Sequence, residues 1–308
     1  MPQHKQRQKR GTLQNPVGDS KTDGDMGSPT GMKLLATLMR LIPSRIVYWI
    51  ALIPVVWYYL RSAQGRTSTA VYQRMLGLRN GPWSRFFFGL SQARAFSHVI
   101  LDNMYLGLFG SERFHLEKFG TEVFLDALDR KKGLILLSAH VGNWHLAVNF
   151  LWNTNTHVHL VIDDVRQSEV RRQMDLAKED SRHLTMHDAS KGHELIFELR
   201  AALSRGEVVI LAGDRVTGRR RTRIPFLGGE AWFPTTAFSL ARTTGASVCT
   251  AFVFRTGMMR YECYGLGPYG DKDPAGVDSM VRQFADHLES YIRQFPKQWF
   301  NFFDFWND

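Results

Sequence analysis

Chemistry concentrates in three short segments of this chain. The first is SAHVGNWH, Ser138 to His145. It contains His140, whose imidazole type ionises near neutrality and can take a proton from an attacking group. Gly142 permits close backbone approach, and Asn143 is the residue type that caps a following helix. The second segment, Ala212 to Pro234, opens on Asp214 and Arg215 and adds Arg219, Arg220, Arg221 and Arg223. Guanidinium forks suit phosphate and carboxylate, so this stretch is a candidate site for a phosphorylated substrate or an acidic carrier. Ile224 to Gly229 lays an apolar strip beside those cations. The third, Trp299 to Trp306, is dense in aromatic rings and predicts packing across the main domain or the lining of an apolar groove.

The order of flanking segments says what must hold these residues. Gly133 to Ser138 (GLILLS) reads as a buried strand and Trp144 to Trp152 as a helix. His140 therefore falls at a strand's carboxyl end, where open α/β sheets bind ligands. Strands are also expected at His157–Ile162, Val208–Ala212 and Ser247–Phe254, with Arg260–Tyr264 pairing onto the last. Helices are expected at Ser168–Asp180, His193–Leu203, Thr235–Thr244 and Val277–Gln294. Interleaving of this kind indicates an α/β fold with a sheet at least partly parallel. Asp214 and Arg215 likewise follow a strand.

Charge separates the chain into regions. The 308 residues carry 39 Lys and Arg against 29 Asp and Glu, a formal +10. Met26 to Leu101 holds nine basic residues and no acid, so that stretch alone accounts for +9 of it. It also holds the most apolar run, Ile46 to Leu60 (IVYWIALIPVVWYYL). Cations bracketing a Trp- and Tyr-rich apolar segment suit an anionic membrane surface. The run is shorter than the ~20 residues of a spanning helix, so an in-plane anchor competes with a full crossing. Nucleic acid would account for the arginines but not for the aliphatic run. Residues 1–31 read as a disordered polar tail, 32–112 as a basic, apolar helical anchoring region, and 113–308 as the α/β domain.

Other chemistries fit less well. Two cysteines, Cys249 and Cys263, are too few for a disulfide framework or a cysteine zinc site. His140 and His145 lie about 140° apart around a helix and would not chelate from one face. His157 and His159 share a strand face, with His183, His187 and His193 following, yet no HExxH spacing occurs. No metal site is expected.

In this order the segments resemble the lipid A biosynthesis acyltransferases, the late acyltransferases related to the lysophospholipid acyltransferase superfamily. The resemblance runs from about Met32 to Trp306. It rests on the basic anchor, His140-Val141-Gly142-Asn143-Trp144, Pro225-Phe226-Leu227-Gly228, Pro234-Thr235-Thr236-Ala237 and the Ala241–Ala246 run. It implies a glycerol-3-phosphate acyltransferase-like sheet flanked by helices, with N-terminal membrane-associating helices. The implied activity is transfer of a fatty acyl group from an acyl carrier protein or coenzyme A thioester to a lipid acceptor. The implied place is the cytoplasmic face of a bacterial inner membrane, with no cofactor needed. His140 matches the His of the family's His-x4-Asp/Glu motif, with Asn143 and the five arginines as substrate-binding residues. The acid of that motif would stand at position 145, where this chain has His145. Three explanations follow: Asp214 or Asp163 supplies the carboxylate, His145 engages the acceptor itself, or the chain binds lipid or acyl carrier without catalysis. The first two retain activity and are favoured.

Overall fold

The computed structural model describes residues 36–146, 156–162, 183–216, 218–270 and 276–306. The expected N-terminal tail, the Ser168–Asp180 helix and Asp163 lie outside the described residues, as does most of the Trp144–Trp152 helix.

A basic helical region comes first. Helices α1 (Ser44–Ile50), α2 (Leu52–Arg61) and α3 (Ala63–Met75) precede the long α4 (Pro82–Phe109). Ser62 ends one helix and starts the next, its side chain accepting from the Gly65 amide at 3.2 Å. Pro82 opens α4, where its missing N–H leaves no helical bond unmade. Gly89 lets α4 lie against α2, since a Cβ there would stand 2.3 Å from the Tyr59 hydroxyl. Among the described residues no single helix is long and apolar enough to cross a membrane. The segments Ser44–Arg61 and Ala63–Met75, bent by 87°, meet that test only as a pair.

A mixed, mostly parallel sheet follows. Its strands are β1 (His115–Phe119), β2 (Leu134–Ser138), β3 (Val158–Ile162), β4 (Leu184–Asp188), β5 (Val208–Ala212), β8 (Ser247–Gly257) and β9 (Arg260–Leu266). They lie in the order β1-β9-β8-β2-β5-β3-β4, and only the β8–β9 pair is antiparallel. Between β5 and β8 come a separate hairpin of β6 (Arg221–Phe226) and β7 (Gly229–Pro234), then helix α7 (Thr236–Thr244). Helices α5 (Glu122–Asp129), α6 (His193–Ser204) and α8 (Val277–Gln294) cover the sheet.

Every residue of β2 is buried, as a central parallel strand covered on both faces requires. Its period of two sends Ile135 and Leu137 into one core with Leu199, Phe252 and Phe284. Leu134 and Leu136 enter the other core, with Phe124 and Ile210. The first core also takes Tyr72 of α3, Leu76 at its C-terminal cap and Phe88 of α4, so the basic helices and the sheet share an interior.

Some expectations shift. Strands β1 and β4 and helix α5 were not expected, because each carries polar residues on an exposed or partly buried face and shows no clear apolar run. The arginine segment is not all loop: Arg221 and Arg223 belong to β6, paired with β7.

Candidate active site

The register of the two central strands builds the site. Strand β2 pairs in parallel with β5 from Leu134↔Val208 through Ser138↔Ala212. Two residues beyond that last pair stand His140 and Asp214, so the ladder carries them out side by side. Gly213 N–H still donates to Ser138 O at 2.7 Å, which continues the alignment past the strands. His140 Nδ1 lies 2.8 Å from Asp214 Oδ1. The His140 amide donates to Asp214 Oδ2 at 2.9 Å.

Asp214 is buried, its side chain 2% exposed, whereas the His140 side chain is 34% exposed. The carboxylate is enclosed and the imidazole faces outward. Burial alone would penalise the charged carboxylate. The adjoining His140 and three hydrogen bonds, from His140 Nδ1, the Trp299 indole and the His140 amide, outweigh it. Together they hold Asp214 below the ordinary aspartate range. An ionised Asp214 accepts from Nδ1–H, which leaves the lone pair of His140 on Nε2.

Trp299 supplies the third donor, Nε1–H to Asp214 Oδ2 at 3.0 Å. It is fully buried and packs edge-on against Tyr72, Phe226 and Phe305 at ring distances of 5.0, 5.7 and 5.0 Å. The C-terminal aromatic segment therefore packs across the domain, and one of its rings also reaches the site. Helix α4 holds that segment in turn: Gln92 Nε2 donates to Trp299 O at 2.5 Å, and Thr69 donates to Gln92 Oε1 at 2.9 Å. A polar chain thus runs from α3 to the His140–Asp214 pair.

The loop bearing His140 is pinned on two sides. Gly142 N–H donates to Gln298 O and Phe300 N–H to His140 O, both at 2.7 Å, while Asn143 N–H donates to Val253 O at 2.7 Å. Gly142 sits at φ +50°, and a Cβ there would come 1.9 Å from Val253 O. Only glycine fits this approach.

The remaining candidates take other places. Asn143 is buried with 0% exposure and does not reach a substrate surface. It is not a side-chain cap either, since its Oδ1 has no hydrogen-bond partner among the described residues. Its Nδ2 donates instead to Asn103 Oδ1 at 2.6 Å. His145 is partly buried and turned toward Asn103, whose Nδ2 lies 3.1 Å from His145 Nδ1. An amide nitrogen only donates, so Nδ1 accepts and the ring proton sits on Nε2. Burial pushes the His145 pKa down to about 3, so it is neutral near pH 7.

Arg215 follows Asp214 and is half-buried, its guanidinium 5.1 Å from the Phe303 ring centre. Arg219 and Arg220 are exposed on the turn that enters β6. Arg221 and Arg223 both lie over the Trp232 ring, at 4.5 and 5.8 Å, and Arg223 also pairs with Glu230 at 3.2 Å. Of the five arginines, then, only Arg215 adjoins the His140–Asp214 pair in sequence. Among the described residues no group of three or more His, Cys, Asp or Glu has metal-holding geometry.

Sequence reading named Asp214 among its alternatives and placed Trp299 in an aromatic packing segment, but it did not foresee the Trp299–Asp214 bond and missed Gln92 and Asn103. Only chain partners distant by 207 residues for Gln92 and 85 for Trp299 give them a role, and no local signal marks them.

A histidine at a central strand end, backed by an ionised aspartate, suits general-base catalysis. A family model described as bacterial lipid A biosynthesis acyltransferase matches residues 109–307. The chain belongs to that family. It is an acyltransferase, and the matched region contains the whole β2-to-Trp299 site. Among solved structures, the 1-acyl-sn-glycerophosphate (LPA) acyltransferase PlsC from Thermotoga maritima is similar at 10% identity and a TM-score of 0.41. The likeness covers 81% of this chain and 98% of that one. No curated protein sequence matches the chain. Position 145 holds a histidine, and the carboxylate that contacts His140 is Asp214, two residues past the end of β5.

Proposed function

We propose that this chain transfers a fatty acyl group from an acyl carrier protein or coenzyme A thioester to a hydroxyl of a lipid or glycolipid acceptor. The observation that carries this reading is the 2.8 Å contact between His140 Nδ1 and buried Asp214. With the Nδ1 proton held by Asp214, Nε2 is free to take the proton of the acceptor hydroxyl. The acceptor oxygen forms a C–O bond to the thioester carbonyl carbon, and the carbonyl oxygen becomes an oxyanion. Asp214 stabilises the imidazolium that results. Collapse of the tetrahedral intermediate breaks the C–S bond, and the Nε2 proton passes to the leaving sulfur. The attack is direct, with no acyl-enzyme. Arg215 is assigned to the oxyanion or to the donor's phosphopantetheine. Exposed Arg219 and Arg220 are assigned to the acidic face of the carrier or the phosphates of coenzyme A. No nucleic acid takes part.

A membrane location is supported by the surface of the N-terminal helices. Trp49, Ile53 and Trp57, spaced at four residues, are 73%, 72% and 61% exposed. Such spacing puts them on one face. Trp83 and Phe87 on α4 add further exposed rings. With nine basic residues and no acid over Met26 to Leu101, this face suits the interface of an anionic bilayer. We assign the protein to the cytoplasmic face of a bacterial inner membrane. The reading as a silent lipid or carrier binder is less well supported, because the carboxylate missing at position 145 is supplied by Asp214.

The test is radiolabelled acyl transfer by the purified full chain, with acyl carrier and coenzyme A donors and a bacterial lipid extract as acceptor. Label should enter a lipid with the wild type and vanish with His140→Ala. Transfer that persists in His140→Ala would remove His140 as the base.

A further inference from the structure

Away from the His140–Asp214 pair, a groove runs between the basic helices and the sheet. It consists of two adjoining depressions of about 270 and 310 Å³ that share Arg94, His98 and Arg255. Helix α4 forms one wall with Ser91, Arg94 and His98, at helical spacing. The opposite wall comes from Arg45, Tyr48, Trp49 and Leu52, the same spacing on α1 and the start of α2. Arg255, from β8, forms the floor, and Lys297 with Gln298 closes one end.

The lining holds four permanent cations, Arg45, Arg94, Arg255 and Lys297, and no Asp or Glu among the described residues. Among the described residues Arg255 has a compensating carboxylate behind it, with Nε 2.6 Å from Asp102 Oδ2 and the Asp102 side chain at 0% exposure. That anchor fixes the guanidinium in the floor; its side chain is 14% exposed. Arg255 Nη1 also lies 3.4 Å from His98 Nδ1. A guanidinium only donates, so His98 Nδ1 accepts and its Nε2 carries a hydrogen. Burial, with Arg255 and Arg94 nearby, pushes the His98 pKa down to about 4, so the ring stays a neutral donor. One end of the groove is polar, with Ser91, Lys297 and Gln298. The other is apolar, with Trp49, Leu52 and Met258, and opens beside the exposed stripe of α1 and α2.

We infer that this groove binds the phosphate monoester of a membrane lipid, with the phosphate on Arg94, Arg255 and Lys297 and the acyl portion along Trp49, Leu52 and Met258. A doubly charged, three-oxygen headgroup matches several converging donors better than a carboxylate does. The apolar end selects a lipid over free phosphate. The groove is separate from the arginines after Asp214, so the protein has two anion-binding regions. The polar end joins the loop that bears His140 directly, because Gln298 O accepts the Gly142 amide.

Calorimetry of the full chain with dioctanoyl phosphatidic acid below its micellar concentration tests this. Inorganic phosphate and dioctanoyl phosphatidylcholine serve as the other ligands. Phosphatidic acid should bind more tightly than either. The Arg94→Gln/Lys297→Gln variant should weaken it by about tenfold or more, as expected for loss of two charge-assisted contacts. Both side chains are exposed, so the variant should keep its fold, and circular dichroism checks that. Arg40→Gln/Arg74→Gln, two exposed residues outside the groove with the same charge change, should bind like wild type. Equal weakening in that variant would reduce the effect to general attraction and overturn the site. Equal affinity for inorganic phosphate would overturn the lipid assignment, and equal affinity for phosphatidylcholine the phosphate assignment. The readout needs no turnover, so His140→Ala protein serves equally well and failure here is distinct from failure of the acyltransferase mechanism.

Discussion

Replacing Asp214 by Asn tests the proposed His140–Asp214 pair most sharply, because the change is nearly isosteric. The carboxylate accepts at three points: His140 Nδ1 on Oδ1, and the His140 amide and Trp299 indole on Oδ2. An asparagine has one oxygen for those positions. If its carbonyl takes the Oδ2 place, two N–H donors stay satisfied and its NH₂ faces His140 Nδ1. An NH₂ can only donate, so Nδ1 must accept and the imidazole proton moves to Nε2. The lone pair then points inward and cannot take the acceptor proton. The opposite orientation sets the NH₂ against two N–H groups and is disfavoured. The expected result is a fall in acyl-transfer rate of about 10⁴-fold, the scale seen when the same tautomer reversal is forced in a catalytic triad. That fall is about 5.4 kcal/mol in the barrier. Stability should change little, because two of the three hydrogen bonds survive. The assay pairs single-turnover acyl transfer with urea unfolding. A variant within tenfold of the wild-type rate, folded normally, would refute the assignment of Asp214 as the partner of His140.

Three further outcomes follow from the same structure. Gly142→Ala should lower the urea midpoint, because φ +50° strains an alanine and its Cβ would overlap Val253 O. The strain alone is worth about 1–3 kcal/mol, and an unchanged midpoint would contradict the pinned-loop geometry. Asp102→Ala leaves the Arg255 guanidinium, bound at 2.6 Å in the native chain, without its carboxylate. Loss of one partner of a buried pair costs about 3–5 kcal/mol, and a loss below about 1 kcal/mol by urea denaturation would show that solvent compensates Arg255. Acid should also destabilise the fold through His145, whose folded pKa is depressed to about 3 from its ordinary 6.5. The unfolded chain then binds the extra proton, so this contribution is complete above about pH 6.5 and falls away toward pH 3 at up to about 1.4 kcal/mol per pH unit. His145→Gln should flatten the stability profile between pH 7 and 4.5, and identical slopes in the two proteins would refute the burial argument.

The sequence determined the strands that carry the chemistry and the place of the charge. GLILLS is a continuous apolar run, so it had to be a buried strand, and a histidine two residues beyond it had to emerge at its end. The helix at Val277–Gln294 was legible from its amphipathic period, and the basic, acid-free stretch from simple counting. Composition and order also brought out the family resemblance. What composition could not supply was partnership. His145 occupies the position where the family pattern places the acid, and the sequence left Asp214, Asp163 and His145 itself as competing explanations. The β2–β5 register places Asp214 opposite His140 across 74 residues, because strands paired in parallel keep their offset beyond their last ladder bond. Trp299 becomes a site residue only where the C-terminal segment bridges to Val141. Asp102, the first acid after the long cationic stretch, carries no local signal of a role, yet it is the buried anchor of Arg255. Sequence spacing governs which face of an element a residue occupies; which element lies against that face is settled by packing between segments far apart in the chain.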